Sequence, residues 1–435
     1  MPSSSPPRPD LRGRARDLDR AYGRSTEPPP PAADPAAERR RRAGRLLVLL
    51  VVPLALATVL GLVVLWPSDG PTRAGEAAAA AVPVGTTFPH ATVQKVTPYD
   101  CTPSDGRPLT CGTAVVEITD GDDSGAFQQV DLPAPVFAEG VASGDSLVLV
   151  RDAGGEGGPA YAVRDVARGT PVWVLALAFV VLVGVVARAR GVAALAALGL
   201  AFAVLTVFLL PAVLHGGPAT PVSLVAAAAI AFVLHYLLGG VSVRTTTALA
   251  GTLVGVLITG LLGAVAVAAA ELPGGGQVPQ LQRWDPTLDL SGLVVAAVLV
   301  AGLGALKEVT SAQSALVWRL AEQEPELGWR ELFVRALASG RGRLAGPLCT
   351  LLLAYAGAAL PLLLLVEVSR EPLGVLLTGS AVAEMLLRTL VGALALVLAV
   401  PVTTAVGALV VRTAGTEAGA VVDRTLAPLL GRFAR

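Results

Sequence analysis

The residues best suited to chemistry stand in the stretch ALKEVTSAQSAL (305–316), which closes a long apolar run. Lys307 and Glu308 are adjacent, and the hydroxyls of Ser311 and Ser314 follow them. On a helix both serines lie close to the face of Lys307, whereas Glu308 lies among small residues. An ionisable group inside a membrane span usually belongs to an ion or substrate path. The alternative, which periodicity alone slightly favours, is that both charges lie at the bilayer rim where the helix leaves it.

A second charged pair, Glu384 and Arg388, begins the last apolar run. A spacing of four residues lets the two side chains pair on one helix face, which lowers the cost of a charge near lipid. The alternative, again slightly favoured, is a pair at the outer rim that sets where the helix starts. Further along, Pro401 would free a backbone carbonyl, and the hydroxyls of Thr403 and Thr404 could bond to it.

Tyr355 and Pro361 belong to the apolar run TLLLAYAGAALPLLLL (350–365), which predicts a kinked span with a face of small residues. Together with the run containing Pro401, it makes two proline-interrupted helices, a feature that forms midplane sites in transporters. Such kinks also occur in helical bundles that have no site. The pattern therefore adds Tyr355 to the candidate pathway residues and gives Pro361 and Pro401 a structural role.

Two further patterns predict packing rather than chemistry. Gly251 and Gly255 form a GxxxG pair, which lets two membrane helices approach closely. The stretch GWRELFVRAL (328–337) has its apolar residues on one side, which is typical of an amphipathic helix at the cytoplasmic surface. We expect that helix to couple two spans, and a partner site there is the alternative.

Composition excludes several classes of protein. Of the 435 residues, 53% are hydrophobic and 15% are charged, against about 25% charged in a soluble domain, so the sequence predicts a membrane protein. A net charge of zero argues against nucleic acid as a partner. The three cysteines and three histidines lack metal-ligand spacing, and the chain contains no nucleotide-binding or hydrolase motif. We therefore expect no metal, no cofactor and no enzymatic activity, and the lipid bilayer as a partner.

The N-terminal part divides into a tail and an anchor. Residues 1–45 are rich in Pro and Arg and end in RRRRAGR, which predicts a disordered cytoplasmic tail. Residues 46–66 are apolar and long enough to span a bilayer, so we predict a transmembrane anchor. A cleaved signal peptide is the rival interpretation, because AAAAA (77–81) could be a cleavage site. It is disfavoured because the region before the apolar run is far too long.

Residues 67–169 predict a small extracytoplasmic β domain, either an OB-like barrel or a sandwich, because short strand-like runs alternate with turn sequences. The five runs are 91–96, 113–118, 127–132, 146–150 and 160–165. Cys101 and Cys111 flank a predicted hairpin loop. Outside the cell a disulfide between them would stabilise the domain by roughly 2–3 kcal/mol.

Residues 170–411 predict a membrane domain of seven helices, followed by a cytoplasmic tail over 412–435. The predicted spans are 171–187, 192–213, 222–238, 247–270, 290–310, 345–366 and 384–411. With the anchor there are eight spans, so both termini are expected in the cytoplasm. Basic residues agree with this topology, since 24 fall in the predicted cytoplasmic segments and eight fall outside.

Several stretches, taken in order, resemble one family. They are YAVRDVARGTPVWVLALAF (161–179), GALKEVTSAQSAL, TLLLAYAGAALPLLLL and EMLLRTLVGALALVLAVPVTT. Together they resemble the YibE/F-like family of bacterial multi-pass membrane proteins, over roughly residues 90–411. The resemblance implies an anchored extracytoplasmic domain followed by about seven helices, and it implies little biochemistry.

The resemblance also selects polar positions. Those that match the family pattern are Asp165, Arg168, Glu308, Ser311, Ser314, Arg341, Thr350, Tyr355, Glu384 and Arg388. Where the family commonly places Asp, this chain keeps a carboxylate as Glu308, which raises the weight of the functional interpretation. Two positions depart from the pattern: Gly342 stands where an acid is typical, and an amide often lies near Cys349. If either position contacted a substrate, its chemistry has changed in this member.

These observations favour a bacterial inner-membrane transporter or permease for an unknown small solute or ion. The expected pathway residues are Glu308, Ser311, Ser314, Tyr355, Glu384 and Arg388. A coupling ion, if there is one, would most simply be a proton taken up by Glu308. The rival hypothesis is a membrane-anchored envelope scaffold or sensor, in which the β domain binds a partner and the helices anchor the chain and assemble it into a homo-oligomer.

Overall fold

The computed structural model describes residues 35–101, 109–152, 160–274, 279–369 and 372–415. The predicted tails over 1–34 and 416–435 lie outside these residues. The helices of the described part are α1 (Pro35–Val64), α2 (Arg73–Ala80), α3 (Ala134–Ala138), α4 (Gly169–Ala203), α5 (Leu210–Leu214), α6 (Ala219–Gly239), α7 (Val243–Ala269), α8 (Pro279–Trp284), α9 (Leu290–Gln323), α10 (Trp329–Gly340), α11 (Ala345–Ala358), α12 (Leu360–Ser369), α13 (Leu373–Thr378) and α14 (Ser380–Thr413). A π-helical segment, Val204–Leu209, joins α4 to α5, and a 3-10 turn, Arg341–Arg343, joins α10 to α11.

The N-terminal helix begins earlier than the anchor expected from the sequence. α1 starts at Pro35, inside the segment predicted to be disordered, because Ala, Glu and Arg are strong helix formers. Glu38 and Arg42 also form an ion pair four residues apart. The apolar part of α1 is a member of the bundle, since Val51 is buried in its core and Gly61 packs against Val225 of α6.

The β domain predicted between the first two long helices is confirmed. Its strands are β1 (His90–Asp100), β2 (Thr110–Ile118), β3 (Phe127–Leu132), β4 (Ser146–Asp152) and β5 (Ala160–Val166). They form one antiparallel sheet in the order β3-β2-β1-β4-β5, and β3 approaches β5. The sheet is therefore a nearly closed barrel of five strands, the partly open form typical of OB-like domains, rather than a sandwich.

Apolar side chains at alternate positions of the strands fill the interior of the barrel. Val93, Leu132 and Leu149 are almost completely buried, because every second side chain of a strand points to the same face. Cys101 and Cys111 are joined by a disulfide at one end of β1 and β2, with their Cα atoms 5.7 Å apart. The hairpin loop that they flank lies outside the described residues at 102–108.

In the described part of the chain, six helices are long and apolar enough to cross a membrane, or seven if a sharply bent pair is counted as one span. The six are Glu38–Val64, Gly169–Leu214, Ala219–Gly239, Val243–Ala269, Leu290–Gln323 and Ser380–Thr413, and the bent pair is α11 with α12. This confirms the expected helical membrane bundle. If the bent pair is counted as one span, there are seven spans where eight are predicted. The missing span lies in Gly169–Leu214, which is counted as a single helix.

The stretch Gly169–Leu214 covers two of the predicted spans in 46 residues. A straight helix of that length would be about 70 Å long, roughly twice the hydrocarbon core of a bilayer. The stretch is not straight, because Arg188 leaves the helical conformation with φ 51° and ψ −133°. A Cβ added at Gly191 would collide with the carbonyl oxygen of Val183, so the chain turns sharply here. Each half has membrane length, and eight spans stays a prediction.

The two prolines act differently. α11 and α12 meet at an angle of 58°, since Pro361 lacks an N–H and clashes with the carbonyl of Gly357 in a straight helix. The predicted interruption at Pro401 is wrong, because α14 runs through that residue as one helix. The Thr404 hydroxyl does not bond to the carbonyl of Val397, which Pro401 leaves without its helical donor. It donates instead to the carbonyl of Val400 at 2.7 Å. α14 packs closely against α7 and α9, and neighbouring helices let a membrane helix tolerate a proline.

Helices α7, α9 and α14 form the centre of the bundle. Gly251 lies so close to α14 that an added Cβ would collide with the Thr403 side chain. An added Cβ at Gly255 would lie 3.0 Å from Leu306 of α9. The GxxxG pair therefore lets α7 approach two neighbours, and both glycines have a packing role.

Candidate functional site

Glu308 lies in the middle of a helix. α9 continues from Leu290 to Gln323, about four turns beyond Glu308, so the predicted span 290–310 is only part of this element. Lys307 is half-buried and Glu308 is exposed. The two charges therefore have different surroundings although they are adjacent in sequence.

Glu308 lines a cavity of about 370 Å³ between α9, the Arg341–Arg343 turn, α11 and α14. Arg343 lines the same cavity, and Val309, Leu344 and Val400 contribute apolar walls. Within the residues that the structure describes, neither Glu308 nor Arg343 forms an ion pair or a side-chain hydrogen bond. A carboxylate and a guanidinium thus face one space without being paired. We call this space the Glu308 cavity.

Glycines make part of the cavity wall. Gly340 is tightly packed, because an added Cβ would collide with the side-chain amide of Gln313. Gly342 and Gly346 also line the cavity, and an added Cβ at either position would meet nothing within 4 Å. Side chains longer than glycine at these two positions can therefore extend into open space, which makes them suitable for testing the cavity.

A second polar cluster lies on α14 and α11. Glu384 is only 4% exposed and forms an ion pair with Arg388 one turn along α14. Tyr355 of α11 packs close to Gly392, the next residue on the same face of α14. The Tyr355 hydroxyl and Nε of Arg388 are buried, and neither has a hydrogen-bond partner among the described residues. The structure thus brings together three of the predicted pathway residues at one position.

A line of residues on α14 connects the two polar sites. Arg388, Gly392, Leu396 and Val400 follow one another at intervals of one turn, and the line from Arg388 to Val400 is about 18 Å long. In its middle, Gly392 and Leu396 line a cavity of about 10 Å³ together with residues of α7 and α9, roughly the space for one water.

We call the whole line the α9/α14 groove. It runs from Glu384, Arg388 and Tyr355 to the Glu308 cavity. Leu306 and Leu396, both at most 4% exposed, line the small cavity but not the larger one.

Comparison with known proteins adds one result. The family model described as YibE/F-like protein matches residues 175–413, which is more than half of the chain. The chain belongs to the YibE/F-like family. No curated protein and no solved structure matches it. The match begins at the second long helix, so the β domain and α1 lie outside it, whereas the resemblance was expected to extend back to about residue 90.

Asp165 and Arg168 lie where the barrel meets the membrane domain, just before the residues that the family model matches. Arg168 stands between β5 and α4, and it forms ion pairs with Asp165 and with Glu139, which follows α3. The hydrogen bond from Arg168 is the main reason why the pKa of Asp165 is lowered. These contacts attach the start of α4 to the barrel over a two-residue connection.

Sequence patterns did not reveal a buried polar network. His235 of α6 is 1% exposed, and its Nε2 lies 3.1 Å from the hydroxyl of Thr252 in α7. That hydroxyl lies 2.7 Å from the hydroxyl of Thr310 in α9. His235 Nδ1 donates to the carbonyl of Ala231 at 2.9 Å. Thr252 is 17 residues from His235, and Thr310 is 58 residues from Thr252, so helical spacing carries no signal for these contacts between helices.

The two predicted serines lie away from the Glu308 cavity. Ser314 is fully buried, and its hydroxyl donates to the backbone carbonyl of Arg244 at 2.7 Å, which joins α9 to α7. Ser311 is half-buried, and no described hydrogen bond involves its side chain. Among the described residues, no group of three or more His, Cys, Asp or Glu could hold a metal ion.

Proposed function

We propose that this YibE/F-like protein carries a small solute or ion across the bacterial inner membrane along the α9/α14 groove. The observation that supports this best is the Glu308 cavity, in which an unpaired carboxylate faces a space between four elements of the bundle. Glu308 is exposed, so its carboxylate is accessible to a solute, and an ionisable group within a membrane span usually serves an ion or substrate path.

The groove supports a pathway that is closed in its middle. The Glu308 cavity gives one end, Leu306 and Leu396 block the centre, and the Glu384/Arg388 pair with Tyr355 gives the other end. Transport would require α9 and α14 to separate near these leucines. Glu308 would bind the cargo or take up a coupling proton, and the unpartnered Tyr355 hydroxyl and Arg388 Nε would donate hydrogen bonds to the cargo.

The charge distribution supports an orientation. Basic residues concentrate in the segments around 39–45, 188–190 and 319–343, which by the positive-inside rule supports a cytoplasmic location for these segments and both termini. The Glu308 cavity then opens toward the cytoplasm, and the β barrel lies outside.

An envelope scaffold or sensor is the second candidate, favoured by the junction at Arg168. The ion pairs of Arg168 fix α4 to the barrel, so a partner that turned the barrel would also turn α4. The first half of α4 exposes apolar side chains such as Trp173, Leu175 and Val186. These would contact lipid or a second copy of the chain.

Ion flux through the purified full chain in liposomes tests the first candidate. We expect proton flux driven by a membrane potential in wild-type vesicles, and a decrease of at least about ten-fold in Glu308→Gln, because the amide cannot exchange the proton. Lys307→Gln is the matched control, since it removes a neighbouring charge that does not line the cavity, and its flux should stay near wild type.

Unchanged flux in Glu308→Gln would exclude the carboxylate from the pathway. Deletion of 70–168 separates the two candidates, because a transporter should keep part of its flux without the barrel. A scaffold would show no flux in either form and would lose its envelope partner.

A further inference from the structure

We infer that the Glu308 cavity binds a small zwitterion, with an ammonium group near Glu308 and a carboxylate near Arg343. This names a substrate class for the proposed transport function and rests on it. Both charged side chains line one cavity, and they are the features of its wall that select charge.

The state of the two charges carries the inference. Glu308 and Arg343 have opposite signs, and the described structure shows no ion pair between them or with any other residue. Both residues are exposed, so their charged groups are accessible to a ligand, and attraction between opposite charges strengthens when a bound ligand excludes water. A ligand that carries one positive and one negative group would pair both side chains and leave the net charge of the site unchanged. A simple anion or cation would pair only one of them.

The size and the walls of the cavity fit a small metabolite. A volume of about 370 Å³ lies near the lower end of the range for small-molecule pockets, and a water takes about 30 Å³. Val309, Leu344 and Val400 give the cavity an apolar side. An amino acid has these features: a zwitterionic head for the two charges and a side chain for the apolar wall.

Equilibrium dialysis of the detergent-solubilised full chain tests this inference. The probe is an equimolar mixture of the twenty protein amino acids, with inorganic phosphate and 1,4-diaminobutane in separate cells. We expect retention of one or more amino acids but not of phosphate or the diamine. Glu308→Gln and Arg343→Gln should each weaken binding at least ten-fold. The N-acetyl and the amide derivatives of the best-bound amino acid, each of which removes one charge, should bind weakly to the wild type.

Two leucine variants, one that fills the cavity and one that does not, separate loss of the cavity from loss of folding. Gly346→Leu should abolish binding, because its side chain enters the cavity without a close contact, and Gly357→Leu on the same helix should not, because it lies on an exposed surface away from the cavity. Both variants should keep the unfolding temperature of the wild type within a few degrees.

Two results would overturn the inference: retention of phosphate that depends on Arg343 alone, or no amino acid retained by the folded wild type. In either case loss of ion flux in Glu308→Gln would leave the transport proposal intact. Conversely, amino-acid binding without any flux would support the ligand class and contradict transport.

Discussion

At the scale of single residues, the centre of the bundle depends on a hydrogen-bond chain that the sequence conceals. The carbonyl of Ala231 can only accept, so Nδ1 of His235 carries the proton and Nε2 accepts from the Thr252 hydroxyl. The Thr310 hydroxyl can then donate to Thr252. Each hydroxyl has one proton and also lies close to a carbonyl of its own helix, that of Ala248 for Thr252 and that of Lys307 for Thr310. A neutral imidazole is compatible with these contacts, and three helices are connected through Thr252.

Thr252→Val tests this chain, because valine keeps the shape and removes the hydroxyl. His235 Nε2 then loses its hydroxyl partner, and the Thr310 hydroxyl keeps only the carbonyl of Lys307, which should lower the free energy of unfolding by about 1–3 kcal/mol. The change is measured by unfolding the full chain in mixed micelles with an increasing mole fraction of a denaturing detergent. Thr206→Val is the matched control, since its exposed hydroxyl bonds only to backbone carbonyls of its own helix. Equal losses in the two variants would contradict a special role for Thr252.

Sequence reasoning at this scale found the charged residues and missed their surroundings. The spacing of Glu384 and Arg388 predicts their contact because both lie on one helix. Helical spacing gives the face of Glu308 but not the helix opposite, so Arg343 could not be chosen as its neighbour in the cavity. Ser314 was selected as a pathway residue although its hydroxyl serves α7 instead, because a pattern does not show which polar residues bond to backbone.

At the scale of elements, the strands and most helices followed from periodicity and composition, and breaks within helices did not. The five strand-like runs agree with the five strands, and Pro361 marks a real bend. α14 continues through Pro401 as one helix that packs against α7 and α9. α9 exceeds its predicted span because Thr310, Gln313 and Ser314 are buried against neighbouring helices.

The loop between β2 and β3 gives a prediction about pH. Asp123 in this loop accepts hydrogen bonds from Tyr161 of β5 and from Arg151 of β4, and these bonds, chiefly that from Tyr161, lower its pKa from the usual value of 3.8. A lowered pKa means that the contact stabilises the loop above the ordinary pKa and is lost only as pH falls through the lowered one. Cleavage of the loop by pepsin should therefore rise only below about pH 3.8.

Tyr161→Phe removes the larger cause of this shift, so the pKa of Asp123 should return toward its ordinary value and cleavage should begin at a higher pH. If cleavage by pepsin had the same pH midpoint in the wild type and in Tyr161→Phe, the hydrogen bond from Tyr161 would not stabilise the loop.

At the scale of the whole molecule, the β barrel and the membrane bundle are joined by the short connection at Arg168, and the bundle is built around α7, α9 and α14. If the Gly169–Leu214 stretch, which turns sharply at Arg188, crosses the membrane twice, the chain has the eight predicted crossings with both ends on one side. The sequence indicated this topology through its basic residues. The α9/α14 groove depends on contacts between distant helices and required the structure.

The most direct test of the transport proposal is the accessibility of position 308 to a charged, membrane-impermeant thiol reagent. Glu308→Cys is made with Cys349→Ser, so that the disulfide between Cys101 and Cys111 is kept. Gly304→Cys, one turn earlier on α9 and outside the cavity lining, is the control. We predict that Cys at 308 reacts in inside-out vesicles but not in right-side-out vesicles, and that Cys at 304 reacts in neither. No reaction at 308, or equal reaction from both sides, would contradict an aqueous cavity open to the cytoplasm.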